Sequence, residues 1–235
     1  MSDETDPLGG LEFRELLHAD ELAALPPFER RIWGADGDLV SVNMLVAVVS
    51  EGGVALGAFD RGEIVGAVFG FPTYEPAVLH SHYMAVDPAY RRRGLGIALK
   101  QQQRTWCLDR GITAMRWTYD PLQLTNAHLN LHALGAAGVA YHVNHYGTLG
   151  GINGDLPSDR VTVSWDLVTQ GADRPPATLS IDVPPATADD IAASNQAALT
   201  ARLAVRAELA ERLGNGWQLV GVDREARRYH LAPRA

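Results

Sequence analysis

The stretch LHSHYMAVDPAYRRRGLGIAL, residues 79–99, constrains the fold more than any other part of the chain. An apolar, β-rich run carrying two histidines ends at Asp87-Pro88, because the residue before a proline is driven out of the helical region and the proline cannot extend a ladder. Arg91, Arg92 and Arg93 follow, then Gly94 and Gly96, and the spacing of Leu95, Ala98, Leu99, Gln102 and Trp106 predicts a helix over 95–110 with Gly111 as its stop. The order is strand, tight turn, glycines, helix. The first N–H groups of a helix have no partner inside it, and the aligned peptide dipoles place about half a positive charge at that end. Glycines leave the backbone open to an anion, and any one of the three guanidinium groups can add a bidentate phosphate contact. Phosphate binding is the functional reading of this stretch; a solvated surface turn is the bland one.

Composition narrows what that anion site can belong to. With 235 residues, of which 46% are hydrophobic, the chain can bury a substantial core. Its formal net charge of -8 argues against a general nucleic-acid binder and makes a local run of three arginines more informative. The longest apolar run, 44–49, is far shorter than the roughly 20 residues of a membrane helix, and the acidic start MSDETDPLGG is unlike a signal peptide. The expectation is a cytoplasmic protein with no membrane and no nucleic-acid partner. Cys107 is the single cysteine and reads as a packing residue, and Lys100 is the single lysine.

No internal repeat is visible, and the chain alternates helices with strands. A helix interrupted near Pro26 and Pro27 is expected over 16–32, and a buried helix over 39–49. Strands are expected at 54–59 and 64–71, joined by Asp60-Arg61-Gly62-Glu63, and at 78–86. After the helix at 95–110 come a strand at 112–119, a short helix at 124–134 ending at Gly135, and strands at 139–146 and 161–168. A linker is read at 171–176, followed by a helix from the capping-box pair Thr187 and Asp190 to about Leu213, with Leu199, Leu203, Ala210 and Leu213 on one stripe. A final hairpin is expected from 217–222 and 228–231, packed on the core because some 60 residues bury little area alone.

Taken together, Arg91-x-x-Gly94-x-Gly96 opening a helix after a strand and V-D-P resembles the acyl-CoA signature Q/R-x-x-G-x-G/A of the GNAT N-acetyltransferase superfamily. The surrounding order of elements also fits, over roughly 11–168. The resemblance implies an α/β (α+β) fold with a mixed, mostly antiparallel central sheet whose strands splay, flanked by helices, with 11–170 as the acyltransferase core and 171–235 as a C-terminal helix and hairpin extension. It implies acetyl-CoA as co-substrate, with the pyrophosphate on the amides of Arg92, Arg93, Gly94, Leu95 and Gly96 beside Arg91, and the pantetheine beside Met84, Ala85 and Val86. Asn126 lies near the position of a further CoA contact. An extended pantetheine arm can borrow backbone groups of a splayed strand, and N–H groups there can stabilise a developing oxyanion.

Amine acetylation requires a deprotonated nucleophile. His80 and His82 stand two apart on one strand and so leave it on the same face, and imidazole titrates near neutrality. Their spacing is similar to that of the strand histidines of arylalkylamine N-acetyltransferase, which serve as a proton route; the alternative is two hydrogen-bonded core histidines. In the pattern of the superfamily a tyrosine protonates the leaving thiolate, but the corresponding slot here is Leu131, with Asn126 and Asn130 only near the asparagine position. His132 and Tyr146 are the candidates for that acid.

His128 and His132 are four apart on a helix with His142 and His145 nearby, yet the Glu of a metallohydrolase motif is missing and no metal site is expected. Asp155, Asp159 and Arg160 fit an acceptor contact or ordinary turn chemistry. The reading is an N-acetyltransferase acting on a primary amine, small-molecule or peptide, by direct attack in a ternary complex, with a homodimer admitted. The rivals are a non-catalytic acyl-CoA-binding module and a metal-dependent hydrolase.

Overall fold

The computed structural model describes residues 8–34, 39–149, 155–169 and 174–234. The acidic start read as lacking a signal peptide lies largely outside these, as does the first half of the expected linker. The chain divides into two compact units, Met1–Thr113 and Ala114–Ala235.

In the first unit, β1 (Glu12–Glu15), β2 (Val54–Asp60), β3 (Glu63–Pro72) and β4 (Val78–Val86) pair in that order, each antiparallel to the next. β4 has the bounds expected from the sequence. β1 was not expected, since four residues with no buried member carry little periodic signal. One face of this sheet takes α4 (Leu95–Leu108): a Cβ at Gly66 would come 2.9 Å from Leu99 Cδ1, so the absence of a side chain on β3 is what lets the helix seat closely. The other face buries Ala67, Phe69 and Ala85 against Leu22, Leu25, Phe28 and Leu45 of the helices α1 (Ala19–Leu22), α2 (Leu25–Trp33) and α3 (Val42–Ser50). The expected helix at 16–32 is thus two helices, with Leu25-Pro26-Pro27 restarting it, because proline suits a first turn and not an interior. α3 corrects a second expectation. It is apolar all round but only Leu45 is buried, and Met44 keeps 54% of its surface.

In the second unit the strand order is β5, β7, β6, β9, β10, β8, again with antiparallel pairings. The strands are β5 (Ala114–Tyr119), β6 (Ala137–His142), β7 (Arg160–Asp166), β8 (Leu179–Asp182), β9 (Trp217–Asp223) and β10 (Arg228–Pro233). The C-terminal hairpin joins the sheet at Gly138, which lies opposite Leu219 with no room for a Cβ, 2.7 Å from Leu219 Cβ. Between β5 and β6, α5 (Leu124–His128) runs into a π-turn at Leu129–Ala133. The strand expected at 139–146 ends at His142, so Tyr146 lies on a turn. The expected C-terminal helix is α6 (Ala188–Ala192) and α7 (Gln196–Gly214), since Asn195 caps a new start with its side chain accepting from Ala198 N–H. The Thr187 and Asp190 capping box is present. The buried stripe of α7 is Ala198, Ala201, Arg202, Val205, Leu209 and Leu213, rotated from the expected one, and Leu203 stays 46% exposed.

Candidate functional site

β4 carries the first half of the site and owes its geometry to a bulge. Tyr83 faces Phe69 and Ser81 faces Gly70, leaving His82 as the extra residue. The extra residue puts His80, His82 and Tyr83 on one side of the strand. The His80 and His82 rings are 6.0 Å apart, His80 lies 4.9 Å from the Phe71 ring, and His82 lies 6.1 Å edge-on to Phe69. His82 is exposed at its edge, yet the aromatic rings around it strip water from the imidazole and hold its pKa below the usual 6.5. A neutral imidazole at neutral pH is the form that can accept a proton.

Ser81 turns to the opposite face, toward α4. There Lys100 Nζ donates to Ser81 Oγ at 2.7 Å and Ser81 Oγ donates to Gln103 Oε1 at 2.8 Å, all three residues buried. Burial pulls the Lys100 ammonium down to a pKa of about 7.

The second half of the site is the entrance to α4. Arg92 has φ 62° and Gly94 φ 87°, left-handed conformations that fold the chain tightly into the helix. Gly94 is the N-cap and offers no side chain to the amides after it, so the helix entrance keeps its N–H groups for another acceptor. Residues 91–94 are exposed. Arg91 Nε donates to the Val86 carbonyl at 3.2 Å, which ties the turn back to β4, and Arg93 lies 5.5 Å over the Tyr90 ring. Met84, Ala85 and Val86 lead into this turn, Ala85 buried on the helical-core face and the other two half-buried. A pyrophosphate fits such an entrance: open amides, no competing cap, three guanidinium groups and no acid within the turn.

The candidates in the second unit are dispersed. Asn126 is exposed on α5. His132, on the π-turn, lies with Nε2 3.0 Å from the Val222 N–H and 2.9 Å from the Val222 carbonyl, a staple to β9. Tyr146 is 42% exposed, its hydroxyl 3.1 Å from Thr118 Oγ1 of β5 and its N–H donating to Ser158 Oγ at 2.8 Å. Leu131, in the slot of the family tyrosine, is fully buried. Asp159 is buried and bonded to Arg206, and Arg160 is buried and donates to the Asp159 carbonyl, the local alternative to an acceptor contact.

One candidate was missed. Glu29 of α2 is fully buried, with Oε2 accepting from Val40 N–H at 3.3 Å. Among the described residues neither its Oε1 nor the hydroxyl of its neighbour Tyr83 meets hydrogen-bonding geometry, although the two groups lie close enough to interact. Desolvation raises the Glu29 pKa above the ordinary carboxyl value, and the Tyr83 hydroxyl draws it partly back down. The signal was present in the sequence, since Glu29 shares the face of Leu25, Phe28 and Ile32 at helical spacing.

Solved structures with this fold include the ribosomal-protein-S18-alanine N-acetyltransferase from Escherichia coli, at 18% identity and TM-score 0.56, covering 67% of this chain and 94% of that one. An acetyltransferase of the GNAT family from Streptococcus pneumoniae matches at 18% identity and TM-score 0.54, covering 66% and 97%. The yncA protein from Salmonella typhimurium, solved with its cofactor acetyl-CoA, matches at 16% identity and TM-score 0.53, covering 68% and 95%. Among curated proteins none matches the sequence. The description "Acetyltransferase (GNAT) family" matches residues 14–135, more than half of the chain and inclusive of β4, the arginine turn and α4. With the bulged histidine strand running into an uncapped, glycine-led helix, the chain belongs to the GNAT acetyltransferase family, and acetyl-CoA is its co-substrate.

Proposed function

We propose that this N-acetyltransferase passes the acetyl group of acetyl-CoA directly to a primary amine of a small molecule or peptide within a ternary complex. The observation that carries the reading is the face of β4 on which two imidazoles stand 6.0 Å apart, with the bulge at His82 bringing Tyr83 to the same side, on the strand leading into the α4 entrance. The amides of Gly94, Leu95 and Gly96, with Arg91, Arg92 and Arg93, hold the pyrophosphate. The backbone of Met84, Ala85 and Val86, and Asn126 on α5, border the pantetheine. His82, kept neutral by its aromatic surroundings, takes the ammonium proton directly or through water, with His80 beside it. The amine attacks the thioester carbonyl, the C–S bond breaks, Tyr146 gives its proton to the leaving thiolate, and the second proton shed by the acylated nitrogen returns through water to Tyr146. His132 has no part in this scheme, because its Nε2 is committed to Val222. In the same reading 11–170 is the catalytic core and 171–235 an extension packed on it.

The test is release of free CoA thiol from acetyl-CoA with a panel of primary amines, alongside a thermal-unfolding shift with acetyl-CoA. At 100 times Kd, binding adds about 2.7 kcal/mol. A shift with amine-dependent thiol release supports the reading. A shift without release for any amine favours the acyl-CoA-binding module that the buried Leu131 suggests, and no shift removes the assignment of the turn.

A further inference from the structure

α7 buries one face built from Ala198, Ala201, Val205, Leu209 and Leu213, and Arg202 interrupts it at 1% exposure. A guanidinium in an otherwise apolar stripe is a local violation that needs a partner to be tolerated. Its partner is Asp120, just after β5, which takes bonds from both Arg202 terminal nitrogens at 2.6 and 2.7 Å. One helical turn later Arg206 grips Asp159 in the same two-pronged way, at 2.8 and 2.9 Å. The Asp159 side chain is fully buried, and its remaining acceptor capacity is filled by the Tyr141 hydroxyl at 2.7 Å and the Asn144 N–H at 2.9 Å. Burial pushes the Asp159 carboxyl up, but the bonds from Arg206, Tyr141 and Asn144 outweigh it and hold the acid below its ordinary pKa.

These contacts converge on the turn after β6. Asn144 Oδ1 accepts from the Ser158 N–H, and Ser158 Oγ accepts from the Tyr146 N–H, so the backbone of the turn is bonded on both sides to the 158–159 segment that α7 clamps. Arg160, next in the chain, lies 5.5 Å over the Tyr146 ring, and the Tyr146 hydroxyl reaches Thr118 of β5. We propose that Arg202 and Arg206 of α7 are positioning residues for Tyr146, Arg206 fixing the 143–146 turn through Asp159 and Arg202 acting through Asp120 on the Arg160 guanidinium, which lies 3.9 Å from Asp120 and over the Tyr146 ring, so that the hydroxyl stays at Thr118. The function of the C-terminal segment is then to aim the proton donor, a role that rests on the reading of Tyr146 given above. The family tyrosine slot holds Leu131, so a donor on a turn needs a brace that a donor on a helix would not.

The experiment uses the full chain with Arg206→Ala, Arg206→Lys and, as a control, Arg228→Ala, which removes an exposed pair with Asp182. Amide hydrogen exchange reads the brace without reference to activity. In Arg206→Ala the amides of Asn144 and Tyr146 should exchange at least about tenfold faster while those of α4 and β4 are unchanged, with Arg206→Lys between, since a single ammonium cannot reproduce the fork. Thiol-release kinetics read its use. Arg206→Ala should lower kcat about tenfold without altering the KM for acetyl-CoA, and adding Tyr146→Phe should produce little further loss, because both changes remove the same step. Unchanged exchange at Asn144 and Tyr146 in both Arg206 variants overturns the brace. If exchange rises but Tyr146→Phe alone leaves kcat untouched, the turn is braced for another purpose and the Tyr146 reading is the part that fails. If Arg206→Ala does not fold, the Arg206→Lys exchange pattern decides.

Discussion

Lys100 Nζ donates to Ser81 Oγ at 2.7 Å, which anchors the one lysine of the chain behind the strand residue that separates His80 from His82. The stretch of β4 that sets both imidazoles on one face is therefore backed by a buried polar chain of Lys100, Ser81 and Gln103. An ammonium brought into an apolar interior is costly, and the cost depends on pH.

Lys100 has a folded-state pKa of about 7 against an unfolded value of 10.5. Between these values the unfolded chain binds more protons, so stability should rise as pH increases from 7 toward 10.5, and below 7 the burial penalty is fully present. Lys100→Met should flatten that slope and be neutral or stabilising at pH 7, by as much as a few kcal/mol, since an apolar side chain of similar length replaces a buried charge. Urea midpoints at pH 7 and pH 9.5 check it; a wild-type midpoint that does not rise argues against a lysine titrating there.

His82 keeps its lowered pKa because aromatic rings exclude water from it. Its protonation is postponed to below pH 6.5, so the acid limb of kcat/KM should lie under that value. His80→Ala with His82→Ala should cut kcat by roughly 10²- to 10⁴-fold and leave acetyl-CoA affinity intact. Steady-state kinetics from pH 5 to 9 are the measurement, and an unaltered profile in the double variant would remove the proton-transfer role.

Gly94 stands at φ 87° with open space where a Cβ would be. Gly94→Ala should cost about 1–2 kcal/mol from the left-handed backbone alone, with little direct clash. Gly94→Glu adds an anion at the helix entrance and should weaken acetyl-CoA binding by about tenfold or more beyond Gly94→Ala, read by calorimetry. Equal affinity in the two variants would separate the turn from the pyrophosphate.

Glu29 is buried with a raised pKa. The folded chain then holds its proton to higher pH than the unfolded chain, so its contribution declines as pH rises from 4.5 through the folded value. Glu29→Gln keeps an oxygen for Val40 N–H and removes the charge; it should stay within about 1 kcal/mol of the parent at pH 4.5 and be the more stable of the two at pH 8. Denaturant midpoints at both values test this, and a destabilised variant at pH 8 would mean that the charge is used.

The chain showed its strongest elements plainly. β4, the hairpin of β2 and β3, and α4 follow from alternation, turn residues and helical spacing because each is built from contacts close in sequence. Gly94 and Gly96 marked the start of α4 for a similar reason, since a helix entrance is a local object. Edge strands β1 and β8, four residues each, carry too little pattern to be read and exist only because a neighbouring strand offers a ladder. Tyr146 was placed on a strand that ends at His142, because what holds the turn is a set of distant partners, Asp159 and through it Arg206. The sequence alone determined the alternation of elements, the glycine-led entrance to α4 and the histidine pair of β4. Tertiary structure decided which charges are buried, which partner each takes and where Tyr146 points, since desolvation and pairing energies depend on groups that meet only when the chain is folded.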